Sequence, residues 1–273
     1  MTEILCSVGA IISKSNGRNY HKLEELANQL QCDGFEFMME KPWYEEINDL
    51  MAYLRGVNLY MPVMHCEKSI GEKISLGGNE NLSEVLRLFE INCKLAEVID
   101  AKKMVIHLWG GRTSDSCFEN NIAAYAALNE VAECFGLELL VENVVCNQQD
   151  PLKHMCELAH IYPKIGFVVD TKMAAFHSQL NKIYEPEYSW LCQEGHIRHY
   201  HINDYAGGYM DWPNLTTLVM GDGKIDFQNF FRLVKETGYS GTFTTEASAY
   251  FEDGNVNVEK LNRQFRKIRE YLR

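Results

Sequence analysis

Short apolar segments of strand length recur along the whole chain, and segments with a helical pattern of polar and apolar residues separate them. Eight apolar segments are present: "ILCSVGAI" (4–11), "GFEFMM" (34–39), "YMPVMHC" (60–66), "KMVIHL" (103–108), "ELLVENV" (138–144), "IGFVVDT" (165–171), "IRHYHIND" (197–204) and "GTFTTEAS" (241–248). Because strands buried on both faces read as short continuous apolar runs, each segment predicts one strand.

The segments between the predicted strands indicate helices. The helical period is clearest in four stretches: 81–101, 121–136, 226–238 and 258–273. Gly136 and Gly238 stand where helices should end, and Asp226 is placed to cap a helix N-terminus. Strand and helix alternate to the end without a break in composition. This alternation predicts an α/β fold with a parallel sheet, and eight repeats predict one (β/α)8 TIM barrel domain over residues 1–273.

An open, doubly wound sheet is the alternative arrangement of the same elements. Such a sheet would favour a glycine-rich phosphate loop after the first strand. The stretch "SVGAIISKSNG" (7–17) contains no GxGxxG pattern. We therefore expect the closed barrel.

The charge balance argues against a polyanionic substrate. The 273 residues include 38 acidic and 26 basic side chains, which gives a formal net charge of −12. A field of this sign repels phosphate backbones and shows no basic footprint for nucleic acid. We therefore expect a small-molecule substrate and no nucleic-acid partner.

Cysteine usage and hydropathy indicate a cytoplasmic protein. The nine cysteines are scattered singly without a CxxC pair, so we interpret them as reduced apolar residues. The start of the chain, "TEILCSVGAII" after Met1, lacks the features of a secretion signal, and no run of about 18 apolar residues occurs. No membrane contact is expected, and a homo-oligomer is left open.

Acid, base and metal-binding side chains end seven of the eight predicted strands. These residues are Glu36, His65, His107, Glu142, Asp170, His201 and Glu246. In a barrel the carboxyl ends of the strands converge on one rim, where active sites of this fold are built. In "RHYHIND" (198–204) the alternation of a strand places His199, His201 and Asn203 on one face. The pattern therefore predicts a single polar site at the rim.

A divalent metal ion is the simplest way to hold several converging carboxylates. Without a cation they would repel one another and raise each other's pKa values. The predicted ligands are three carboxylates and one imidazole: Glu142, Asp170, His201 and Glu246. This set suits Mn²⁺ or Mg²⁺, with Co²⁺ or Zn²⁺ as alternatives. His65 and His107 either bind a second metal that shares Glu142 or bind substrate oxygens.

These segments resemble the xylose isomerase-like barrel superfamily, which contains sugar isomerases and epimerases, keto-inositol dehydratases and metal-dependent apurinic endonucleases. The resemblance covers nearly the whole chain and rests on the order and spacing of "GFEFMM", "MPVMHC", "MVIHLWGG", "LLVENV", "FVVDTKMAAF", "RHYHINDY", "MGDGKIDF" and "TFTTEAS". It implies that the metal ligands are the acids of strands five, six and eight and the histidine of strand seven, namely Glu142, Asp170, Glu246 and His201. We expect Asn203 and Asp204 to support His201, and His199 to be a core residue.

Two subgroups of that superfamily fit this sequence less well. The apurinic endonucleases hold a third metal with a histidine three residues after the sixth-strand aspartate and with an Asp-x-His after the seventh strand. Here these positions are Met173 and Asp211-Trp212-Pro213. Ketose 3-epimerases place a substrate-binding histidine at the position of Met173. His177, one helical turn later, is the candidate to compensate.

The resulting prediction is a metal-dependent isomerase or epimerase of a small sugar, sugar phosphate or sugar acid that works through an enediolate. Glu142 and Glu246 are the predicted proton-transfer residues. The predicted substrate-binding residues are Glu36, His65, His107, Trp109 and Lys172. Trp212 and Phe176 are further candidates for an apolar wall. The alternatives are a keto-inositol dehydratase that uses the same metal, an apurinic endonuclease, and a non-catalytic metal-binding domain.

Overall fold

The strands occupy the predicted apolar segments. The structure is a computed structural model that describes residues 2–273. Within these residues the strands are β1 (Glu3–Ser7), β2 (Gly34–Met38), β3 (Val63–His65), β4 (Lys103–Ile106), β5 (Glu138–Glu142), β6 (Gly166–Asp170), β7 (Ile197–Ile202) and β8 (Thr242–Thr245). They close in the order β1 to β8, which confirms the (β/α)8 barrel and excludes the open sheet.

Helices alternate with the strands, and the predicted helix ends are confirmed. The α-helices are α1 (Val8–Ile11), α2 (Leu23–Ala27), α3 (Ile47–Leu54), α4 (Ser69–Leu76), α5 (Asn79–Val98), α6 (Phe118–Cys134), α7 (Pro151–Ile161), α8 (Thr171–Phe176), α9 (Trp190–Gln193), α10 (Phe227–Glu236) and α11 (Val258–Leu272). Short 3₁₀ turns cover Lys14–Asn16, Tyr20–Lys22, Lys41–Tyr44, Lys182–Tyr184 and Trp212–Asn214. The Asp226 carboxylate accepts the N–H of Asn229 at 3.0 Å and caps α10. Gly136 and Gly238 follow α6 and α10 with φ values of 66° and 75°, a conformation that glycine adopts without strain.

The first strand is shorter than the sequence predicts. β1 ends at Ser7, and the next four residues form the helical turn α1. The hydroxyl of Ser7 accepts the N–H of Gly9 at 3.2 Å and thereby caps this turn. An apolar run looks the same in a buried strand and in a buried helical turn, so the pattern over 4–11 did not reveal the division.

The chain forms two compact units. The terminal unit contains residues 2–36 and 169–273, and the middle unit contains residues 37–168. In the terminal unit β1 pairs in parallel with β2 and β8, and β7 pairs with β8. In the middle unit β4 pairs in parallel with β3 and β5, and β5 pairs with β6. The assignment of residues 1–273 to one domain stays a prediction.

The two faces of β7 and β8 in the terminal unit differ in chemistry. Tyr200 and Phe243 stack with ring centroids 5.4 Å apart, and Tyr200 contacts Phe230 of α10 at 5.7 Å. A helix therefore covers this apolar face. Because alternate residues of a strand point to opposite sides, His199 and His201 face the interior of the barrel. The two histidines of β7 thus lie on the inner face of the strand, opposite the aromatic side.

The composition predicted reduced cysteines and no membrane-spanning segment, and the structure bears on both. All nine cysteines are free thiols, and five of them are exposed or half-buried. Among residues 2–273, no helix combines the length and the apolar character that are needed to cross a membrane.

Candidate metal centre

Three of the four predicted ligands lie together in the terminal unit. One ligand atom each of Asp170, His201 and Glu246 lies within 4.8 Å of the others. Asp170 ends β6, His201 lies in β7, and Glu246 directly follows β8. Asp170 and His201 are fully buried, and the side chain of Glu246 is 8% exposed. Two carboxylates so close together and so far from water are unfavourable without a cation, so the donor set fits a divalent metal.

Asn203 connects the two carboxylates of this cluster. Its Nδ2 donates hydrogen bonds to Oδ2 of Asp170 at 2.7 Å and to Oε2 of Glu246 at 2.9 Å. The hydroxyl of Thr171 donates to the Asn203 carbonyl at 2.6 Å and accepts the Asn203 N–H at 2.9 Å, which fixes the backbone. A neutral amide holds both carboxylates in place and leaves their negative charge for a cation. Asn203 therefore supports the ligand set by holding the carboxylates of Asp170 and Glu246.

Asp204 does not support His201, and this part of the prediction is wrong. Its Oδ2 accepts the N–H groups of Gly221 at 2.8 Å and Gly223 at 3.0 Å, and its Oδ1 accepts the N–H of Ile225 at 3.1 Å. The direction of successive side chains alternates here as in the strand before, so Asp204 points away from the side that His201 occupies. Its carboxylate organises the loop that follows β7.

Glu36, a predicted substrate-binding residue, is fully buried within the terminal unit. Its Oε2 accepts hydrogen bonds from Nε2 of His199 at 2.9 Å and from Oγ1 of Thr244 at 2.7 Å. Its Oε1 lies 3.1 Å from Nε2 of His201. Burial alone would raise the pKa of Glu36, but the neighbouring His201 and His199 outweigh it and hold the pKa well below its ordinary value. Glu36 is therefore a buried anion among side chains and offers no exposed surface to a substrate.

His199 is a satisfied core residue, as the sequence predicts. It is fully buried, and its Nδ1 lies 2.5 Å from the hydroxyl of Thr242. Sequence reasoning missed Thr242 and Thr244 as partners of this network. A signal was present, because in "TFTTE" (242–246) both threonines alternate on the same face as Glu246.

The fourth predicted ligand, Glu142, lies with two histidines in the middle unit. Its Oε2 is 3.2 Å from Nε2 of His65 and 2.7 Å from Nε2 of His107. The Nδ1 of His65 lies 2.7 Å from the carbonyl oxygen of Cys66. Since a carbonyl oxygen only accepts, this nitrogen carries a proton. The other ring nitrogen, Nε2, is within hydrogen-bond distance of the Glu142 carboxylate, and a cation bound here would take the place of a proton between these two atoms.

His107 is neutral near pH 7. Burial lowers its pKa to about 4, against the opposing effect of Glu142. The 2.7 Å contact between Nε2 and Glu142 lacks hydrogen-bond geometry. Ligand atoms of His65, His107 and Glu142 all lie within 4.8 Å of one another. Two ring nitrogens and one carboxylate oxygen that face each other in this way form a second donor set that fits a divalent metal.

The other predicted substrate-binding residues are placed differently. Trp109 is fully buried and donates from Nε1 to the Val144 carbonyl at 2.9 Å, so it presents no accessible ring face. Lys172 is buried as well, and its Nζ donates to the hydroxyl of Thr217 at 2.8 Å, in the loop after β7. The position of Trp109 does not support a substrate-binding role. Lys172 contacts the loop that follows β7, near the rim.

The aromatic candidates separate into a buried and an exposed residue. Phe176 is fully buried, whereas Trp212 is 45% exposed and meets Phe176 edge-on at 4.9 Å. His177 is buried with its ring edge-on to Phe176 at 5.0 Å. Trp212 is therefore the member of this group that can offer a ring face to a ligand.

Comparison with known proteins places the chain in a family. The model of the family "Xylose isomerase-like TIM barrel" matches residues 25–272. A search of curated proteins found no match.

Solved structures share the fold over essentially the whole chain. A D-tagatose 3-epimerase-like protein is 20% identical, with 99% of this chain and 97% of that chain covered and a TM-score of 0.68. The IOLI protein, solved with a zinc atom, is 15% identical, with 99% and 98% covered and a TM-score of 0.73. D-psicose 3-epimerase from Clostridium cellulolyticum H10, solved with D-tagatose, is 13% identical, with 99% of both chains covered and a TM-score of 0.69. At such identities the likeness shows the fold alone, whereas the family model covers most of the sequence. The chain belongs to the xylose isomerase-like TIM barrel family.

Proposed function

We propose that this protein is a divalent-metal-dependent enzyme that isomerises or epimerises a small sugar, sugar phosphate or sugar acid. The observation that carries the proposal is the buried set of Asp170, His201 and Glu246, whose two carboxylates are joined by the neutral amide of Asn203. Oxygen-rich sets with one imidazole suit Mn²⁺ or Mg²⁺, with Co²⁺ or Zn²⁺ as alternatives. The epimerases of similar fold support a sugar substrate.

Glu142 is proposed as the fourth ligand. It ends β5 and is paired in register with Val168 of β6, and Asp170 lies two residues further along β6. Residues two apart on a strand point to the same face, which supports a common direction for Glu142 and Asp170. His65 and His107 would then hold a second metal that shares Glu142, or would bind substrate oxygens if one metal is present.

A bound metal would supply Lewis-acid stabilisation of negative charge on the substrate oxygens. Glu246 accepts the proton from the substrate carbon, because it is the most exposed member of the terminal-unit set and Asn203 orients its Oε2. Glu142 is proposed as the partner in proton transfer. His107, neutral and 9% exposed, orients a substrate hydroxyl by a hydrogen bond.

The test is solvent exchange at carbon. The protein is incubated with Mn²⁺ in D₂O with ketoses, sugar phosphates, sugar acids and an inosose, and NMR follows the substrate signals. We expect one C–H to exchange and a new isomer to form with one class of sugar. Conversion without exchange would keep the isomerase but replace proton transfer by a hydride shift. Loss of water from the inosose would favour the lyase alternative.

Two further results would contradict the proposal. A protein that binds metal but converts none of these compounds would be a non-catalytic metal-binding domain. Salt-sensitive binding and cleavage of DNA at abasic sites would establish an endonuclease, which the net charge of −12 argues against.

A further inference from the structure

Glu36 is a buried carboxylate of the terminal unit that the proposed chemistry does not use. Glu36 is fully buried, and its two oxygens have different surroundings. Oε2 accepts hydrogen bonds from His199 and Thr244. Oε1 is buried without a complete hydrogen bond and lies 3.1 Å from Nε2 of His201. One oxygen thus holds the carboxylate in place, and the other is directed at a proposed metal ligand.

The ring of His201 meets a carboxylate at each nitrogen. Nε2 is 3.1 Å from Oε1 of Glu36, and Nδ1 is 3.5 Å from Oε2 of Glu246. A neutral imidazole carries one proton, on one of these nitrogens. Glu36 Oε1 is buried and would otherwise lack a donor, which is unfavourable, so the proton is favoured on Nε2. The lone pair is then on Nδ1, on the side of Glu246.

We propose that Glu36 is a positioning residue that holds His201 as its Nε2–H tautomer and so presents Nδ1 to the metal ion. A carboxylate that accepts a hydrogen bond from the N–H of the ring nitrogen that does not bind metal fixes the orientation of a metal-binding histidine and raises its basicity. His199, Thr242 and Thr244 in turn hold Glu36 in place. This inference rests on the proposed function, because it takes His201 as a metal ligand.

Glu36→Gln separates this role from a purely structural one. The variant keeps the volume of the side chain but replaces one acceptor oxygen by an NH₂ donor. The amide therefore cannot accept from His199 and Thr244 and also from His201. A structural residue would affect only the stability of the fold. A positioning residue also changes the tautomer of His201 and the affinity for metal.

The experiment compares wild type, Glu36→Gln and a control, Glu67→Gln. Glu67 is also a buried glutamate, but it lies in the middle unit and accepts from Ser69. Long-range ¹H–¹⁵N NMR of the ring nitrogens gives the His201 tautomer in the metal-free protein. Calorimetric titration with Mn²⁺ gives the affinity, and thermal unfolding confirms the fold.

We expect an Nε2–H tautomer for His201 in wild type and in Glu67→Gln, and loss of this preference in Glu36→Gln. Mn²⁺ should bind Glu36→Gln about 10–100-fold more weakly than wild type. A ring proton on Nδ1 in wild type would overturn the proposal even if Glu36→Gln failed to fold. Tight binding to wild type with unchanged affinity and tautomer in Glu36→Gln would overturn the role of Glu36 alone. Failure of wild type to bind any divalent metal would overturn the proposed function as well.

Discussion

Two buried clusters in this protein contain similar residue types, yet their polar atoms have different partners. In the terminal unit the cluster is Asp170, His201 and Glu246, and in the middle unit it is Asp115, Cys146 and His154. In each cluster the ligand atoms lie within 4.8 Å of one another. A search for metal-binding residue types alone would select both.

The lone pairs of Asp115 are already used. Its carboxylate accepts the backbone N–H groups of Asn147 at 2.7 Å, Gln148 at 3.0 Å and Gln149 at 2.8 Å, and Nε2 of His154 at 2.9 Å. These bonds hold the start of the loop before α7 against the first turns of that helix. A cation could bind this carboxylate only by displacing several hydrogen bonds.

Cys146, the third residue of the middle-unit cluster, is also a poor metal ligand. Burial raises the pKa of its thiol far above its ordinary value, so the sulfur keeps its proton, whereas metals bind the thiolate. In the terminal unit, by comparison, each of the two carboxylates accepts a hydrogen bond from the uncharged amide of Asn203. The difference teaches that residue types alone do not identify a metal site. A buried acid and histidine become a candidate when the hydrogen bonds that they accept leave negative charge uncompensated.

The largest expected effect is the loss of chemistry in Glu246→Gln. The amide cannot accept a proton at neutral pH, so exchange of solvent deuterium into substrate should fall by about 10²–10⁴-fold while the fold and much of the metal binding remain. NMR in D₂O measures the exchange. Glu252→Gln, an exposed glutamate in the same loop, is the control and should exchange normally. Full exchange in Glu246→Gln would assign the proton transfer to another residue, with Glu142 the first candidate.

The matched pair Asp170→Asn and Asp115→Asn tests the comparison directly. Both variants remove a buried carboxylate of similar size, but only Asp170 is proposed to bind metal. We expect Asp170→Asn to weaken Mn²⁺ binding by about 100-fold or more, and Asp115→Asn to bind as wild type does. Calorimetric titration measures both. Equal losses of affinity would show that the distinction between the clusters is wrong.

Asp115→Asn should instead destabilise the fold. Burial alone would raise the pKa of Asp115, but the hydrogen bonds from His154 and from the loop N–H groups lower it to about 2. Because the folded pKa lies below the ordinary value of about 3.9, the ionised carboxylate stabilises the fold above about pH 4. This contribution of about 2 kcal/mol is lost as the pH falls from about 4 to about 2.

Urea unfolding at several pH values checks this prediction. Wild type should lose stability relative to Asp115→Asn as the pH falls through that window. Parallel stability curves for the two proteins would show that Asp115 does not stabilise the fold through its charge.

The smallest effect is expected for His107→Ala. His107 has no proposed role in proton transfer, so the variant should keep measurable activity. Its KM should rise about tenfold, or its occupancy by a second metal should fall about tenfold. Steady-state kinetics and metal analysis separate these two outcomes. His160→Ala, an exposed histidine of the same unit, should match wild type. Loss of activity as complete as in Glu246→Gln would give His107 a catalytic role.

The sequence predicted the strands well because apolar runs are local patterns, and a local pattern also indicated the ligand candidates, whose role stays a prediction. Apolar runs located all eight strands, and the alternation along β7 assigned His199 and His201 to one face. The partners of Glu36 were not predictable in this way. His199 is 163 residues away from Glu36 in the sequence, and Thr244 is 208 residues away. Contacts at such distances depend on register, which local patterns do not specify.

Two site predictions gain no support from the structure, and both have physical reasons. Trp109 stays a predicted substrate-binding residue, but its Nε1 donates to a buried carbonyl and its ring is fully buried. Asp204 was assigned to His201 because it is close in sequence. Direction, which alternates along an extended chain, mattered more than proximity.

The carboxylate of Asp204 has a consequence for how the loop after β7 meets a ligand. It accepts four backbone N–H groups of that loop, and a Cβ on Gly223 would lie 2.3 Å from its Oδ1, so only glycine fits there. Ordering a residue of flexible backbone costs about 1–2 kcal/mol. Here that entropy is lost when the protein folds. A ligand that contacted this loop would therefore lose little binding free energy to ordering it.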